Sequence, residues 1–203
     1  MIPTAATLIS KGNMKIGEKK TWNINLAPTK TCQDKPCFKE GCCYAMKALR
    51  LYPQTRYAWN FNFEHYSENP KYFFSDIAKA IQSAKNKPKW FRWHSAGEIP
   101  DQNYFLGIKR IARMFPKIKF LVFTKKYDLT FRLIPSNLQV VISAWPGIEI
   151  PKNLRKRFPI AWMVDGRETR TPKNGFECPG YCPTCRACWS LSKTKKDVIF
   201  HKH

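Results

Sequence analysis

Thr21-Trp22-Asn23-Ile24-Asn25-Leu26 alternates apolar with polar side chains, the pattern of a short strand. Ala27-Pro28 breaks it, and Cys32-x4-Cys37-x4-Cys42-Cys43-Tyr44-Ala45 follows. The next residues, Tyr44 to Arg50, are strong helix formers, so a helix is expected to start at the last two cysteines. A strand, a cysteine loop and a helix form the opening half of a βα unit, and α/β folds place their chemistry in the loops that leave strand ends. The helix start has its own use. Its partial positive charge and free N–H groups lower thiol pKa values and offer hydrogen bonds to sulfur.

Outward from that stretch the same alternation repeats. Tyr72 to Lys85 carries Phe73, Ile77, Ala80, Ile81 and Ala84 at helical spacing. Lys89 to His94 reads as a strand and Ser95 to Asp101 as its loop. Gln102 to Phe115 reads as an amphipathic helix, and Ile118 to Thr124 as a nearly all-apolar strand, as a buried parallel strand should be. Leu129 to Ile134 reads as a short helix, and Leu138 to Ser143 and Phe158 to Val164 as two more strands. The aromatic-rich segment 52–70 reads as a loop or broken helix. This order predicts an α/β fold with parallel βαβ units, either a partial (β/α) barrel, which we favour, or an open parallel sheet. The expected organisation is a core over residues 1–165 and a cysteine-rich extension over 166–203 that packs on it. Asp197 to Phe200 is a strand or tail, and His201 and His203 are expected to be exposed. Neither a Gly-x-Gly-x-x-Gly turn after a strand nor a Gly-x4-Gly-Lys-Ser/Thr loop is present, so those two nucleotide cradles are not indicated.

The charge is extreme. The 203 residues carry 36 Lys and Arg against 14 Asp and Glu, a formal net charge of +22. Such a field favours polyanions, nucleic acid above all, with a solvated basic surface as the plain alternative. No apolar run reaches the roughly 18 residues of a membrane span, so no membrane partner is expected. The sequence opens with no charged stretch followed by a long apolar run, so no export signal is expected and the expected location is a cytoplasm, that of the host if the gene is phage-borne. In a reducing compartment clustered cysteines point to metal rather than disulfides.

A second cysteine set, Cys178-x3-Cys182-x2-Cys185-x2-Cys188, completes the eight cysteines of the chain. Two sets of four suggest two four-coordinate centres. The late run is similar to the tight Cys-x2-Cys-x2-Cys loops that wrap iron–sulfur clusters, whereas zinc ribbons separate paired Cys-x2-Cys elements by a dozen or more residues. The cofactor read from the spacing is therefore one or two [4Fe–4S] clusters on Cys32, Cys37, Cys42, Cys43, Cys178, Cys182, Cys185 and Cys188, with zinc as the alternative. Cys42 and Cys43 are adjacent and rarely reach one metal together, so the two sets could exchange ligands.

The early cysteines with Tyr44-Ala45, the central Arg92-Trp93-His94-Ser95-Ala96-Gly97-Glu98, Phe123-Thr124-Lys125-Lys126 and Val141-Ile142-Ser143 resemble the phage "gene product 88" family. The resemblance implies a phage or mobile-element origin and a cysteine-held metal. Cys42 looks like an addition to that pattern. The layout is also similar to radical SAM enzymes, which place a cluster in the loop after the first strand of a partial barrel and grip the methionine amino group with a Gly-Glu segment after the second strand. That similarity would give Gly97 and Glu98 a role in binding S-adenosylmethionine. The early spacing departs from Cys-x3-Cys-x2-Cys, which occurs instead at Cys178, Cys182 and Cys185, where Cys188 would fill the iron that SAM needs.

Arg92, His94 and Glu98 leave one strand in alternation, and Lys125 ends the next. A guanidinium, an imidazole and a carboxylate together bind anions and move protons; the plain alternative is an ion pair and a backbone-bonded histidine. Arg92, His94, Glu98 and Lys125 are the candidate catalytic residues. Two readings remain: an iron–sulfur redox or radical-SAM-like enzyme with a basic strand-end pocket, and a non-catalytic nucleic-acid-binding protein with structural metal centres.

Overall fold

The computed structural model describes residues 8–12, 15–17, 20–166, 172 and 175–201; His203 lies outside them. Among the described residues, seven parallel strands form one open sheet in the order β1-β2-β3-β4-β5-β7-β6. They are β1 (Thr21–Ile24), β2 (Trp90–Trp93), β3 (Lys119–Thr124), β4 (Leu138–Ala144), β5 (Ile160–Val164), β6 (Phe176–Glu177) and β7 (Val198–His201). The α/β class is as expected from the sequence, and the sheet is open, not a closed barrel. The register runs Trp22 beside Phe91, Arg92 beside Leu121, Val122 beside Val140, and Ile142 beside Ile160.

The path of the chain explains which face each segment covers. From β1 to β5 every step advances in one direction across the sheet. Right-handed crossovers then put all the intervening helices on the same face. Those helices are α1 (Pro28–Thr31), α2 (Pro36–Lys39), α3 (Tyr44–Leu51), α4 (Pro53–Glu68), α5 (Pro70–Ser83), α6 (Gln102–Met114) and α7 (Lys152–Arg157). On that face Trp22, Ile24, Phe91, Trp93, Phe120, Val122, Val140 and Ile142 pack against Phe73, Phe74, Ile77, Ile108 and Ile111 in one buried core. Each such side chain contributes on the order of 1.5–3 kcal/mol on burial. The step from β6 to β7 runs backward, so the same handedness sends its crossover to the opposite face. That crossover contains α8 (Cys182–Cys185), a 3-10 turn at Ala187–Trp189 and α9 (Leu191–Thr194). It covers Leu121, Val141, Ala161 and Val198 with Cys188, Trp189 and Leu191.

The second face is polar in places, and the extension answers each group. Gln139 Nε2 donates to Ser192 Oγ at 2.7 Å, and Ser192 N donates to Gln139 Oε1 at 3.0 Å. Arg186, in a left-handed conformation, donates to Thr21 Oγ1 and to the Ile16 carbonyl, both at 2.8 Å. Its guanidinium lies 4.3 Å from the Trp90 ring centroid and 5.5 Å from that of Trp189.

Two expected elements differ. Residues 52–70 contain a continuous helix, α4, and the first residue of α5. The apolar periodicity fails there because polar groups face inward. Asn62 is buried and donates to the Leu8 and Asn25 carbonyls at 3.0 and 2.9 Å, and Tyr66 donates to Asp101 at 2.7 Å. Residues 129–134 form no helix. Leu133 has φ 51°, and the Arg132 and Leu133 carbonyls accept from Lys109 Nζ and Arg113 on α6 instead of from a following turn. The late strand is present as β7, inserted between β5 and the short edge strand β6, which the sequence reading did not anticipate.

Candidate functional site

The strands end on one rim, and a cavity of about 250 Å³ opens there. Its wall includes Cys32, Cys37, Cys42 and Cys43 from the loop after β1, Arg92, His94 and Glu98 from the end of β2, and Lys125 after β3. Ser143, Trp145, Met163 and His201 complete it from the ends of β4, β5 and β7. In a parallel sheet this carboxyl edge is where ligands bind.

The cysteine loop is braced by its neighbours. Asn25 Oδ1 accepts from the Ser95 and Ala96 amides at 2.8 and 3.0 Å, joining the loops after β1 and β2. Thr31 Oγ1 accepts from Glu98 N at 3.0 Å and stands 3.6 Å from Cys32 Sγ. Trp145 Nε1 donates to Glu40 Oε1 at 3.0 Å, which ties the end of β4 to the same loop. Asn25, Thr31 and Glu40 were not singled out by sequence reading as parts of the site, whereas Trp145 was expected on this rim. For Asn25 a signal existed: a polar residue that ends an alternating strand.

All eight cysteines are free thiols. Cys32, Cys37 and Cys43 feel one another electrostatically. Burial pushes Cys32 up to about 12. Cys37 donates to the Cys43 sulfur, which holds the Cys37 proton on. That hydrogen bond, with the Ala45 and Met46 amides at the start of α3, pulls Cys43 down to about 6. Cys42 points elsewhere and donates to the Cys37 carbonyl at 3.6 Å. Lys125 is desolvated, but Cys37, Glu98 and Cys32 outweigh that, so its pKa is raised and the ammonium stays charged.

Glu98 is 4% exposed, and its carboxylate is fully occupied. It accepts from Ile99 N at 2.8 Å, Thr124 Oγ1 at 2.7 Å and Lys125 N at 2.7 Å. Its geometry is that of a positioning residue that fixes Lys125. Gly97 has φ 88°, and a Cβ there would lie 2.5 Å from the Leu26 carbonyl oxygen. Its glycine identity is therefore explained by loop packing, whatever else it touches.

Arg92 and His94 are different, because they have polar atoms with nothing to bind. Arg92 Nε, His94 Nδ1 and Ser95 Oγ are buried without a hydrogen-bond partner, and all three residues line the cavity. Buried polar atoms are nearly always paired, so these three leave hydrogen-bonding capacity beside one cavity. His94 has φ 57°, a strained conformation of the kind that collects at functional sites. Burial, and then the Arg92 charge, lower its pKa to about 3, so the ring is neutral. Its Nε2 lies 3.0 Å from the Tyr104 hydroxyl, whose own pKa burial raises well above normal. Arg92 crosses to the polar face, stacks 5.1 Å from the Phe123 ring centroid and lies within charge range of Cys182 and Cys188.

The late quartet lies outside the cavity wall. Cys178 and Cys182 pack against the second apolar cluster, and Cys188 is within it. Burial pushes Cys188 up to about 12 and raises Cys182, and all four late thiols are electrostatic neighbours. Gly180 N donates to Cys178 Sγ at 3.4 Å. His201 is exposed, as expected; it pairs with Glu177 at 2.7 Å.

Among the described residues, no group of three or more His, Cys, Asp or Glu side chains is placed so that it could hold a metal ion. A [4Fe–4S] cubane presents irons at separate corners and takes ligands set further apart than one ion does. The donor chemistry fits that group: both sets are all-thiol, the early set faces an open cavity, and Lys125 and Arg92 supply countercharge.

The family model described as Gene product 88 matches residues 5–202. No curated protein and no solved structure matches the chain. Among the described residues, no helix is long and apolar enough to cross a membrane.

Proposed function

The chain belongs to the gene product 88 family of phages, and on that premise we propose that it is an iron–sulfur enzyme whose strand-end cavity is its active site. The observation that carries the reading is that the early cysteines line the same cavity as Arg92, His94 and Ser95, each with an unpaired buried polar atom. Cys32, Cys37 and Cys43 would hold a [4Fe–4S] cluster. When bound, such a cluster supplies one-electron chemistry. Arg92 Nε, His94 Nδ1 and Ser95 Oγ receive an anionic group, and a carboxylate such as that of S-adenosylmethionine suits a guanidinium fork. Lys125 holds countercharge beside the thiols, and Glu98 holds Lys125. The late quartet is a second, structural centre, a cluster or zinc, that fastens the extension to the sheet.

The experiment is equilibrium binding of S-adenosylmethionine to anaerobically loaded protein. About one equivalent should bind the loaded wild type and none the Cys43→Ser protein. Arg92→Met should weaken binding at least about tenfold, the worth of one charge-assisted hydrogen bond. No binding to loaded wild type would remove S-adenosylmethionine and leave a redox site for another anion.

A further inference from the structure

The cavity does not account for the outer surface of α3 and α4. Between Glu40 and Glu64 the chain has no acidic residue, while Lys47, Arg50 and Arg56 are exposed. None of these three cations is in an ion pair among the described residues. The same surface exposes Tyr52 at 59% and Tyr57 at 57%, and Tyr44 at 61%, whose hydroxyl is desolvated at the cavity beside Arg92 and Lys125.

The arrangement is ordered. Tyr44 also lines the cavity, so the surface begins at the cavity mouth. It follows α3 for about 12 Å of helix rise and passes Tyr52 onto the first turns of α4. There Arg56, Tyr57, Asn60 and Phe61 line a shallow groove, with Glu64 at its far end. Tyr57 stacks on Phe61 at 6.3 Å with planes 13° apart, and Phe61 on His65 at 5.7 Å and 22°. Tyr57 is the exposed end of a ladder of near-parallel rings, so the next member would come from outside the protein.

Flat faces at an open stack and unpaired cations at helical spacing match bases and phosphates. We propose that the α3–α4 surface, from Tyr44 to Tyr57, is a docking platform for single-stranded nucleic acid. Bases stack on Tyr52 and Tyr57, and phosphates lie on Lys47, Arg50 and Arg56. A duplex keeps its base faces to itself and offers only phosphates, so stacking selects unpaired strands. The net charge of +22 supplies the long-range attraction that brings the strand in. The platform does not depend on what the cysteines hold.

The test is fluorescence-anisotropy titration of the full chain with an oligothymidylate of about 12 nucleotides, a length within single-strand site sizes, and with a duplex of matched length. Wild type should favour the single strand. Tyr52→Ala/Tyr57→Ala should weaken single-strand binding at least about fivefold, as loss of base stacking does, and leave duplex binding unchanged. Tyr52→Phe/Tyr57→Phe should retain binding. Arg50→Glu/Arg56→Glu should flatten the log–log salt slope by about 1.4, two phosphate contacts' worth. Equal binding of both nucleic acids with no effect of the alanine pair would reduce the surface to charge alone and overturn the proposal, as would absence of single-strand binding by wild type. Neither result bears on the cluster, because the measurement reads no iron chemistry.

Discussion

The two cysteine groups use the same ligand atom in opposite settings, with Arg92 between them. The early group lies on a strand-end loop around an open cavity, next to the start of α3 and the Lys125 ammonium. One of its sulfurs is pulled down to about 6. The late group is folded into a backward crossover, packed against the second face of the sheet around the one-turn helix α8, with Cys188 pushed up to about 12. The difference teaches that position relative to the sheet, and not spacing alone, decides which cysteines border the strand-end cavity. By spacing alone the late run resembles a cluster loop more closely; by surroundings the early one is the reactive candidate.

The largest expected effect is on the frame that holds the early group. Glu98→Ala leaves Ile99 N, Thr124 Oγ1 and Lys125 N without their acceptor. At about 1–3 kcal/mol for each buried unsatisfied group, the loss should be several kcal/mol, read as a lower midpoint in urea. Glu98→Gln should lose less. A near-wild-type midpoint for the alanine protein would mean that Glu98 does not brace the rim.

Next in size is the pH response of His94, whose ring feels the Arg92 charge. Its folded pKa of about 3 lies below the ordinary value of 6.5. The unfolded chain therefore takes up the proton first, and stability is full above about 6.5 and declines as pH falls toward 3, by up to about 1.4 kcal/mol per pH unit. His94→Gln should remove that part of the slope between pH 6 and 4. An unchanged slope would show that the ring is protonated in the folded protein.

A sharper contrast lies within the early group. Cys32→Ser, Cys37→Ser and Cys43→Ser should each lower bound iron by one cluster's worth, about four atoms. Cys42→Ser should not, because its thiol is turned to the Cys37 carbonyl. If Cys42→Ser loses iron and Cys43→Ser keeps it, the ligand assignment is reversed. The smallest effect expected is on alkylation of the metal-free protein. Arg92→Met removes a charge that favours the Cys182 and Cys188 thiolates, so these two should react modestly more slowly at pH 8 while Cys43 is unaffected.

Much of this was legible in residue order. The nearly all-apolar Ile118–Thr124 and the alternating Thr21–Leu26 read as strands because their side chains meet opposite faces of a sheet, and β3 and β1 occupy those segments. The helices Pro70–Ser83 and Gln102–Met114 followed from apolar spacing for the same reason. What escaped were cases where a distant partner overrides the local pattern. Asn62 and Tyr66 turn polar atoms inward, so α4 lost its stripe. Lys109 and Arg113 take the carbonyls of residues 132 and 133, so a helical-looking run became a loop. At the rim, Arg92, His94, Glu98 and Lys125 were legible as polar residues interrupting strand ends, and all four line the cavity. The saturation of Glu98 was not legible, because its three donors come from three separate positions.

The central claim is that the early cysteines hold an iron–sulfur cluster at a substrate cavity. The most direct measurement is iron, sulfide and zinc content with an absorption spectrum, on anaerobically prepared wild type and on Cys182→Ser/Cys188→Ser, which isolates the early group. The account predicts about four irons with matching sulfide in that variant, and a broad band near ~400 nm, of iron–sulfur charge-transfer type, that Cys43→Ser abolishes. A colourless variant with no iron, or one that holds only zinc, would contradict it.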